Sequence, residues 1–152
     1  MVLPDVNVLV AAYRDDAPEH ESCRPWLETV LGGDEAFAVS DLVLSGFLRI
    51  VTHPRVFIHP SPRDEALQFA NAIRSQPQCI PVNPGRRHWE IFTRLYREAE
   101  TLGNLIPDAY FAALAIEFGC EWITLDRDFA RFEGLRWSRP ARDTSRLSGD
   151  HD

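Results

Sequence analysis

The chain has 152 residues, of which 45% are hydrophobic and 26% charged, a composition that suits one soluble globular domain and a length too short for two. The net charge of −7 argues against a basic coat protein for nucleic acid. All 16 basic residues are arginine, which excludes mechanisms that need a lysine, such as P-loop phosphate binding and Schiff-base chemistry.

The chain shows no sign of secretion or of a membrane span. No apolar run approaches the roughly 20 residues that cross a bilayer, and the opening segment "MVLPDVNVLVAAY" lacks a basic n-region and a cleavage site. The cysteines, Cys23, Cys79 and Cys120, are odd in number and lack the CxxC spacing of zinc sites. We therefore expect a cytoplasmic protein with reduced thiols and no membrane partner.

Strand-like and helix-like segments alternate along the chain. The predicted strands run to about Asp5 and then over 36–40, 79–83, 121–125 and 135–138. The predicted helices open near Asn7 and then cover 18–31, 41–52, 62–75, 86–102 and 106–119, with a helical turn over 128–132. This alternation predicts an α/β fold with a central parallel β-sheet of about five strands, flanked by helices on both faces. One domain is expected over 1–138, and the polar segment 139–152 is expected to be disordered.

Acidic residues follow predicted strands or open predicted helices at Asp5, Asp41, Asp108, Asp126 and Asp128. The carboxyl ends of parallel strands meet at one edge of a sheet, so these acids can converge although they are far apart in the sequence. Asp5 is the most informative, because it interrupts an apolar strand. Local roles stay open for the other four. Asp108 suits the first turn of any helix, Asp41 can cap its helix, and Asp126 and Asp128 can be turn residues that cap the next helical turn.

Clustered carboxylates repel one another unless they are protonated or neutralised. A hard divalent cation with oxygen ligands, Mg²⁺ or Mn²⁺, is the natural neutraliser. Such an ion can activate water and stabilise the charge on a phosphodiester that is being cleaved. Asn7 and Thr124 each lie two residues from one of these acids and can hydrogen-bond the acids or a ligand.

Three motifs now carry a resemblance to a known family. The segments "LPDVNVLV", "NLIPDAYFAALAIEFG" and "WITLDRDF", in this order and spacing, resemble the PIN-domain nucleases, and most closely the VapC toxins of bacterial type II toxin–antitoxin systems. The segment "SDLVLSGFLRIVTHPRVF", Ser40 to Phe57, looks like one VapC subgroup. The resemblance covers roughly residues 1–138, and the three motifs together are specific.

The resemblance implies a Mg²⁺- or Mn²⁺-dependent endoribonuclease toxin with a PIN-domain fold. Its catalytic and metal-binding acids match Asp5, Asp108 and Asp126 here, with Asp128 auxiliary, and Thr124 matches a hydroxyl position of the family. It also implies a homodimer and a cognate VapB-type antitoxin whose tail fills the acidic groove. Which RNA is cut is left open.

One position departs from the family pattern. The family usually has a glutamate in the helix after the second strand, a few residues before an arginine like Arg49, and the alignment puts Gly46 there. Asp41, one turn earlier, is the only carboxylate in this segment, and we expect it to serve as a catalytic substitute. Without Asp41 the site has fewer ligands and holds a single ion.

Contacts to RNA beyond the acids are expected from basic side chains, with the candidates Arg49, Arg55, Arg86, Arg87 and His88. Each of these can equally be a solvated surface charge. Trp89 and Phe92 recur at helical spacing and are assigned to the core rather than to base stacking.

Alternative functions are limited by the residues present. A haloacid-dehalogenase-type phosphatase needs a second aspartate where Asn7 stands, and it needs a lysine, as does a receiver-type signalling domain. A PIN-like domain that binds RNA or a partner protein without cleavage stays open as the alternative to the nuclease, because of Gly46.

Overall fold

Short parallel strands form the centre of the molecule. A computed structural model describes residues 1–100 and 102–141, and its strands within those ranges are β1 (Val2–Pro4), β2 (Phe37–Val39), β3 (Cys79–Pro81), β4 (Glu121–Ile123) and β5 (Trp137–Ser138). Strand β4 lies between β1 and β5, and β2 pairs with β3; all three pairings are parallel. Strand β1 also contacts β2, although hydrogen bonding divides the strands into a set of three and a set of two.

Helices pack around these strands in two groups. Their bounds are α1 (Val6–Tyr13), α2 (His20–Gly32), α3 (Asp41–Val51), α4 (Arg63–Arg74), α5 (His88–Glu98) and α6 (Leu105–Glu117). Helix α1 contacts α2 and α3, and α3 contacts α4. Helix α5 packs on α6, which also contacts β4. The predicted parallel α/β fold is confirmed.

Two predicted helix ends differ from the structure for local reasons. Helix α5 stops at Glu98 rather than near residue 102, and Glu100 adopts a positive φ of 50°, which cannot continue a right-handed helix. Helix α4 begins at Arg63, one residue after the predicted start at Pro62, because Pro62 takes an extended ψ of 137° and becomes the cap.

Aromatic packing fixes the elements that surround the end of β4. Trp122 of β4 is fully buried, with its ring 5.4 Å from that of Phe111 in α6 and 5.5 Å from that of Phe129. Phe129 belongs to a short 3-10 helix, Arg127–Arg131, that follows β4. Since each aromatic side chain buries a large apolar area, these contacts hold α6 and the 3-10 helix in a set position against β4.

The assignment of Trp89 to the core was wrong. Phe92 is buried as expected, but Trp89 is 69% exposed. The ring of Trp89 packs against that of Phe92 at 5.4 Å but stays at the surface, so the apolar spacing of α5 is not matched by burial along its whole length.

The end of the described chain is held by a side-chain contact. Arg139, where the predicted tail begins, donates a hydrogen bond from Nη1 to the carbonyl oxygen of Leu125 at 2.8 Å. Residues 142–152 of that predicted tail lie outside the described residues.

None of the helices described has the length and apolar character to cross a membrane.

Candidate active site

Asp5 lies at the point where β1 ends and α1 begins. It is the N-cap of α1, and its Oδ1 accepts a hydrogen bond from the backbone N–H of Val6 at 2.6 Å. Its Oδ2 accepts a hydrogen bond from the hydroxyl of Thr124 at 2.7 Å. The residue is only 6% exposed, so a carboxylate that could have served as a simple surface cap is instead buried.

Thr124 joins this carboxylate to the end of β4. Thr124 has no exposed surface, and besides donating to Asp5 its Oγ1 accepts hydrogen bonds from the side-chain amide of Asn7 at 3.3 Å and from the N–H of Asp126 at 3.1 Å. The side-chain oxygen of Asn7 accepts a hydrogen bond from the N–H of Leu125 at 3.2 Å. Asn7 and Thr124 thus hold the two acid-bearing segments together.

Asp126 and Asp128 lie at the start of the 3-10 helix. Asp126 caps it, since its Oδ1 accepts a hydrogen bond from the N–H of Asp128 at 2.8 Å. Asp128 is more exposed, and its carboxylate lies 3.9 Å from the guanidinium of Arg131. A 3-10 turn is tight, so Asp126, Asp128 and Arg131 are kept within one small segment.

Burial and mutual repulsion act on the pKa of Asp5. Burial is the largest cause, and together with the charges of Asp108 and Asp126 it raises the pKa from 3.8 to about 6. The hydrogen bonds from Thr124 and Val6 lower this pKa and so limit the rise. Asp5 therefore stands in the electric field of carboxylates on two other elements.

Asp108, in the first turn of α6, shows the same behaviour. Its pKa is also raised from 3.8 to about 6, first by partial burial and then by the charges of Asp126 and Asp128. The positive charge of Arg131 opposes this rise in pKa. The acids from β1, α6 and the 3-10 helix consequently form one electrostatic cluster, which we call the acidic site: Asp5, Asp108, Asp126 and Asp128.

The donor set of the acidic site fits a hard divalent cation, because it consists of carboxylate oxygens with excess negative charge. Both oxygens of Asp5 accept a hydrogen bond, and each keeps a lone pair with which it can bind a cation. Within the described residues, no group of three or more His, Cys, Asp or Glu side chains is already arranged to hold a metal ion.

Known proteins resemble this chain over nearly its whole length. The sequence profile of the PIN domain matches residues 2–135. Ribonuclease VapC31 of Mycobacterium tuberculosis is 48% identical over 140 residues, which cover 92% of this chain and 99% of VapC31. The chain belongs to the VapC ribonucleases of the PIN-domain family. The predicted family is thereby confirmed.

Solved structures agree with this VapC fold. VapBC2 from Rickettsia felis, bound to a DNA fragment, gives a TM-score of 0.66 at 19% identity and covers 91% of this chain and 98% of that one. A toxin–antitoxin complex from Klebsiella pneumoniae gives 0.62 at 18% identity, with coverage of 93% and 99%. At such identities these likenesses concern the fold alone.

Asp41 stands apart from the acidic site of this VapC chain. It opens α3 as predicted, but its two carboxylate oxygens accept hydrogen bonds from Arg74 at 2.9 and 3.4 Å. The charges that raise the pKa of Asp5 come from Asp108 and Asp126, not from Asp41. The structure thus gives Asp41 a surface ion-pair partner, Arg74, and its catalytic role stays a prediction.

Gly46, where VapC proteins usually have a glutamate, does lie beside the site. A Cβ placed on Gly46 would meet Cγ2 of Val6 at 2.8 Å, and Val6 directly follows Asp5. The position therefore faces the start of α1. The space that a longer side chain would need is taken by Val6.

The predicted RNA-binding arginines are spread over the surface. The N–H of Arg87 donates to Glu117 near the end of α6, about 13 Å of helix from Asp108, and Arg86 is its neighbour. Arg49 is exposed on α3, three residues beyond Gly46. Arg86 and Arg87 are thus at the opposite end of α6 from the acid.

Two arginines that sequence reasoning missed contact the acid-bearing segments. Arg131 is the first, and its spacing of three residues from Asp128 in a predicted helical turn was the available signal. Arg139 is the second: it binds the carbonyl of Leu125, while Asn7 binds the N–H of the same residue. No local signal could have found Arg139, since it stood in the predicted tail.

Proposed function

We propose that this chain is an endoribonuclease toxin that depends on Mg²⁺ or Mn²⁺ and works in the cytoplasm. Asp5, Asp108 and Asp126 hold the ion, and Asp128 assists. The observation that carries the proposal is the convergence of these carboxylates from β1, α6 and the 3-10 helix, with the pKa of both Asp5 and Asp108 raised to about 6. Because Asp41 is engaged by Arg74, we propose a single ion.

The chain's own residues have distinct tasks in this site. Thr124 and the amide of Val6 orient the carboxylate of Asp5, and Asn7 fixes Thr124 and the following peptide. Asp126 is held in place by capping the 3-10 helix. When bound, a divalent ion supplies neutralisation of these acids, polarisation of the phosphodiester and activation of water for hydrolysis.

Two partners besides RNA belong to the proposal. The likeness to VapBC complexes supports a VapB-type antitoxin as a partner. We propose further that the antitoxin occupies the acidic site and that this chain forms a homodimer. Co-expression with the product of an adjacent small reading frame should give a stable complex, and light scattering of the purified chain should give twice the monomer mass.

The nuclease is tested by incubating total RNA with purified protein in Mg²⁺, Mn²⁺ or EDTA. Cleavage at a few discrete sites that needs metal, and that is lost in Asp5→Asn, is the expected result. Asp34→Asn is a matched control, because it removes one carboxylate from a loop outside the acidic site. Cleavage that survives EDTA, or that Asp5→Asn leaves intact, would rule out the proposed chemistry.

A second function, binding of RNA or a partner without cleavage, is favoured by one observation. Gly46 cannot supply the carboxylate usual in the family, and Val6 fills the space in front of it. If this function holds, the protein binds RNA or its antitoxin tightly and cuts nothing in either metal.

A further inference from the structure

Arg131 contacts Asp128, one of the four acids of the acidic site. Its Nε donates a hydrogen bond to the backbone carbonyl of Asp128 at 2.9 Å, and its Nη2 lies 3.9 Å from Oδ1 of the same residue. Its charge also opposes the rise in the pKa of Asp108, on a different element. The hydrogen bond and the ion pair therefore hold the guanidinium against the 3-10 helix, beside the carboxylate of Asp128.

The ion pair with Asp128 does not account for this position. At 3.9 Å the pair is long, and its side chains are 33% and 65% exposed, so water screens it and its net stabilisation is small. A guanidinium has five N–H donors, and the contact with the Asp128 carbonyl uses one of them. Donors thus remain for a ligand that enters the site.

Several other arginines are committed to structural contacts. Arg14 donates to the carboxylate of Asp16, Arg74 holds Asp41, and Arg94 pairs with Glu98. An RNA strand that approaches four carboxylates meets strong repulsion unless a cation is present at the site itself. Arg131, which contacts Asp128 of the acidic site, can provide that cation.

We propose that Arg131 is a substrate-contacting residue that donates hydrogen bonds from its guanidinium to a phosphate of RNA lying across the acidic site. The planar fork of the guanidinium matches the oxygens of a phosphate, which a point charge does not. This inference rests on the proposed function, since it names the group by which the same site holds its substrate.

The test measures RNA binding separately from cleavage. Binding of a fluorescently labelled single-stranded RNA oligonucleotide is followed by anisotropy in EDTA at several salt concentrations, for the wild type, Arg131→Gln, Arg131→Lys and Arg63→Gln. Arg63 is the matched control: its side chain is 91% exposed at the start of α4, and the substitution removes the same charge. Thermal unfolding and circular dichroism establish that each variant is folded.

We expect Arg131→Gln to weaken RNA binding about tenfold at low salt, the effect of one charge-assisted contact. The slope of log K against log salt should become shallower by about 0.7, because one phosphate is no longer neutralised. Arg131→Lys should keep the wild-type slope and recover part of the affinity. Arg63→Gln should match the wild type.

The inference is contradicted if Arg131→Gln and the wild type have the same RNA affinity and the same salt slope. It is also contradicted if Arg131→Gln and Arg63→Gln lose the same amount of RNA affinity, or if the wild type does not bind RNA. If Arg131→Gln does not fold, the test depends on Arg131→Lys. A shallower salt slope in Arg131→Lys contradicts the inference, and an unchanged salt slope with a reduced RNA affinity supports the inference. If RNA binding depends on Arg131 but no RNA is cleaved in Mg²⁺ or Mn²⁺, the contact is supported and the proposed nuclease function is contradicted. If RNA is cleaved but binding does not depend on Arg131, only the proposed contact is contradicted.

Discussion

The hydroxyl of Thr124 donates a 2.7 Å hydrogen bond to the buried carboxylate of Asp5, across 119 residues of sequence. This bond links the ends of β1 and β4, and it lowers the pKa of Asp5 against the opposing effect of burial. The hydrogen bond from Thr124 therefore favours the ionised form of this buried acid, the form that can bind a cation.

Thr124→Val keeps the shape of the side chain and removes its hydroxyl. The buried Oδ2 of Asp5 then lacks its donor, so we expect a loss of about 1–3 kcal/mol in the free energy of unfolding. Cleavage should fall by about tenfold or more, because Asp5 is less well oriented and more easily protonated. Thr124→Ser, which restores the hydroxyl, should recover most of both. Denaturant unfolding and RNA cleavage check this, and equal effects of Val and Ser would contradict it.

Stability in EDTA should fall as pH rises through about 6. The folded-state pKa of Asp5 and Asp108 is raised above 3.8, so the folded protein holds their protons more tightly than the unfolded chain. Their contribution is fully present below about pH 4 and is lost as pH passes 6. For buried Asp5 the loss reaches about 3 kcal/mol, and it is smaller for half-buried Asp108, which water screens.

Thermal unfolding from pH 4 to 8 checks this prediction as a difference between proteins. Asp5→Asn should be more stable than the wild type above about pH 6 and should lack part of the pH dependence, although it loses RNA cleavage. Mn²⁺ should raise the melting temperature of the wild type above pH 6, because a cation favours ionised acids. If the melting temperatures of the wild type and of Asp5→Asn change with pH in parallel, burial does not raise the pKa of Asp5.

Asp41→Asn should leave metal-dependent cleavage near the wild-type level. Asp41 pairs with Arg74 at the surface, with both side chains about half exposed, so the substitution should cost less than about 1 kcal/mol. Asp108→Asn, compared in the same cleavage assay, should abolish activity. A loss in Asp41→Asn as large as that in Asp108→Asn would restore Asp41 to the catalytic set and show that its contact with Arg74 is broken on metal binding.

Gly46→Glu alone should destabilise the fold, because even its Cβ would approach Val6 to 2.8 Å. Overpacking of this kind costs about 1–3 kcal/mol. Val6→Ala removes the methyl group that clashes, so the double variant should be more stable than the two single effects predict. It should also bind Mn²⁺ more tightly by calorimetry, since it adds a carboxylate beside Asp5. Strict additivity of the unfolding free energies would mean that the two positions do not touch.

Arg139→Ala should reduce RNA cleavage several-fold. Arg139 and Asn7 hold the carbonyl and the N–H of Leu125, the residue between Thr124 and Asp126. Arg136→Ala is the matched control, because Arg136 also donates to a backbone carbonyl, that of Gly119 before β4, but away from the acids. We expect similar small losses of stability and a loss of cleavage only in Arg139→Ala. Equal activities in the two variants would deny Arg139 a positioning role.

Local signals made most of the fold predictable. An acid directly after an apolar strand, an alternation of strand-like and helix-like segments, and an aspartate in a helix's first turn all depend on residues within one turn or strand. The places of Asp5, Asp108 and Asp126 next to strands and helix starts could therefore be predicted from the sequence, as could the parallel arrangement of the strands. The amphipathic spacing of α5 was also visible, but not which flank of it would stay exposed, as Trp89 shows.

The sequence by itself thus determined the elements, their parallel order and the acids at the strand ends, because short-range sterics and hydrophobic periodicity decide these. Only the tertiary structure decided the partners: Arg74 for Asp41, Val6 for Gly46, and Thr124 for Asp5. Such pairs join residues tens to more than a hundred positions apart, and packing of α1, α3, α4 and β4 selects them. No local pattern encodes which side chain of one element will face a given side chain of another.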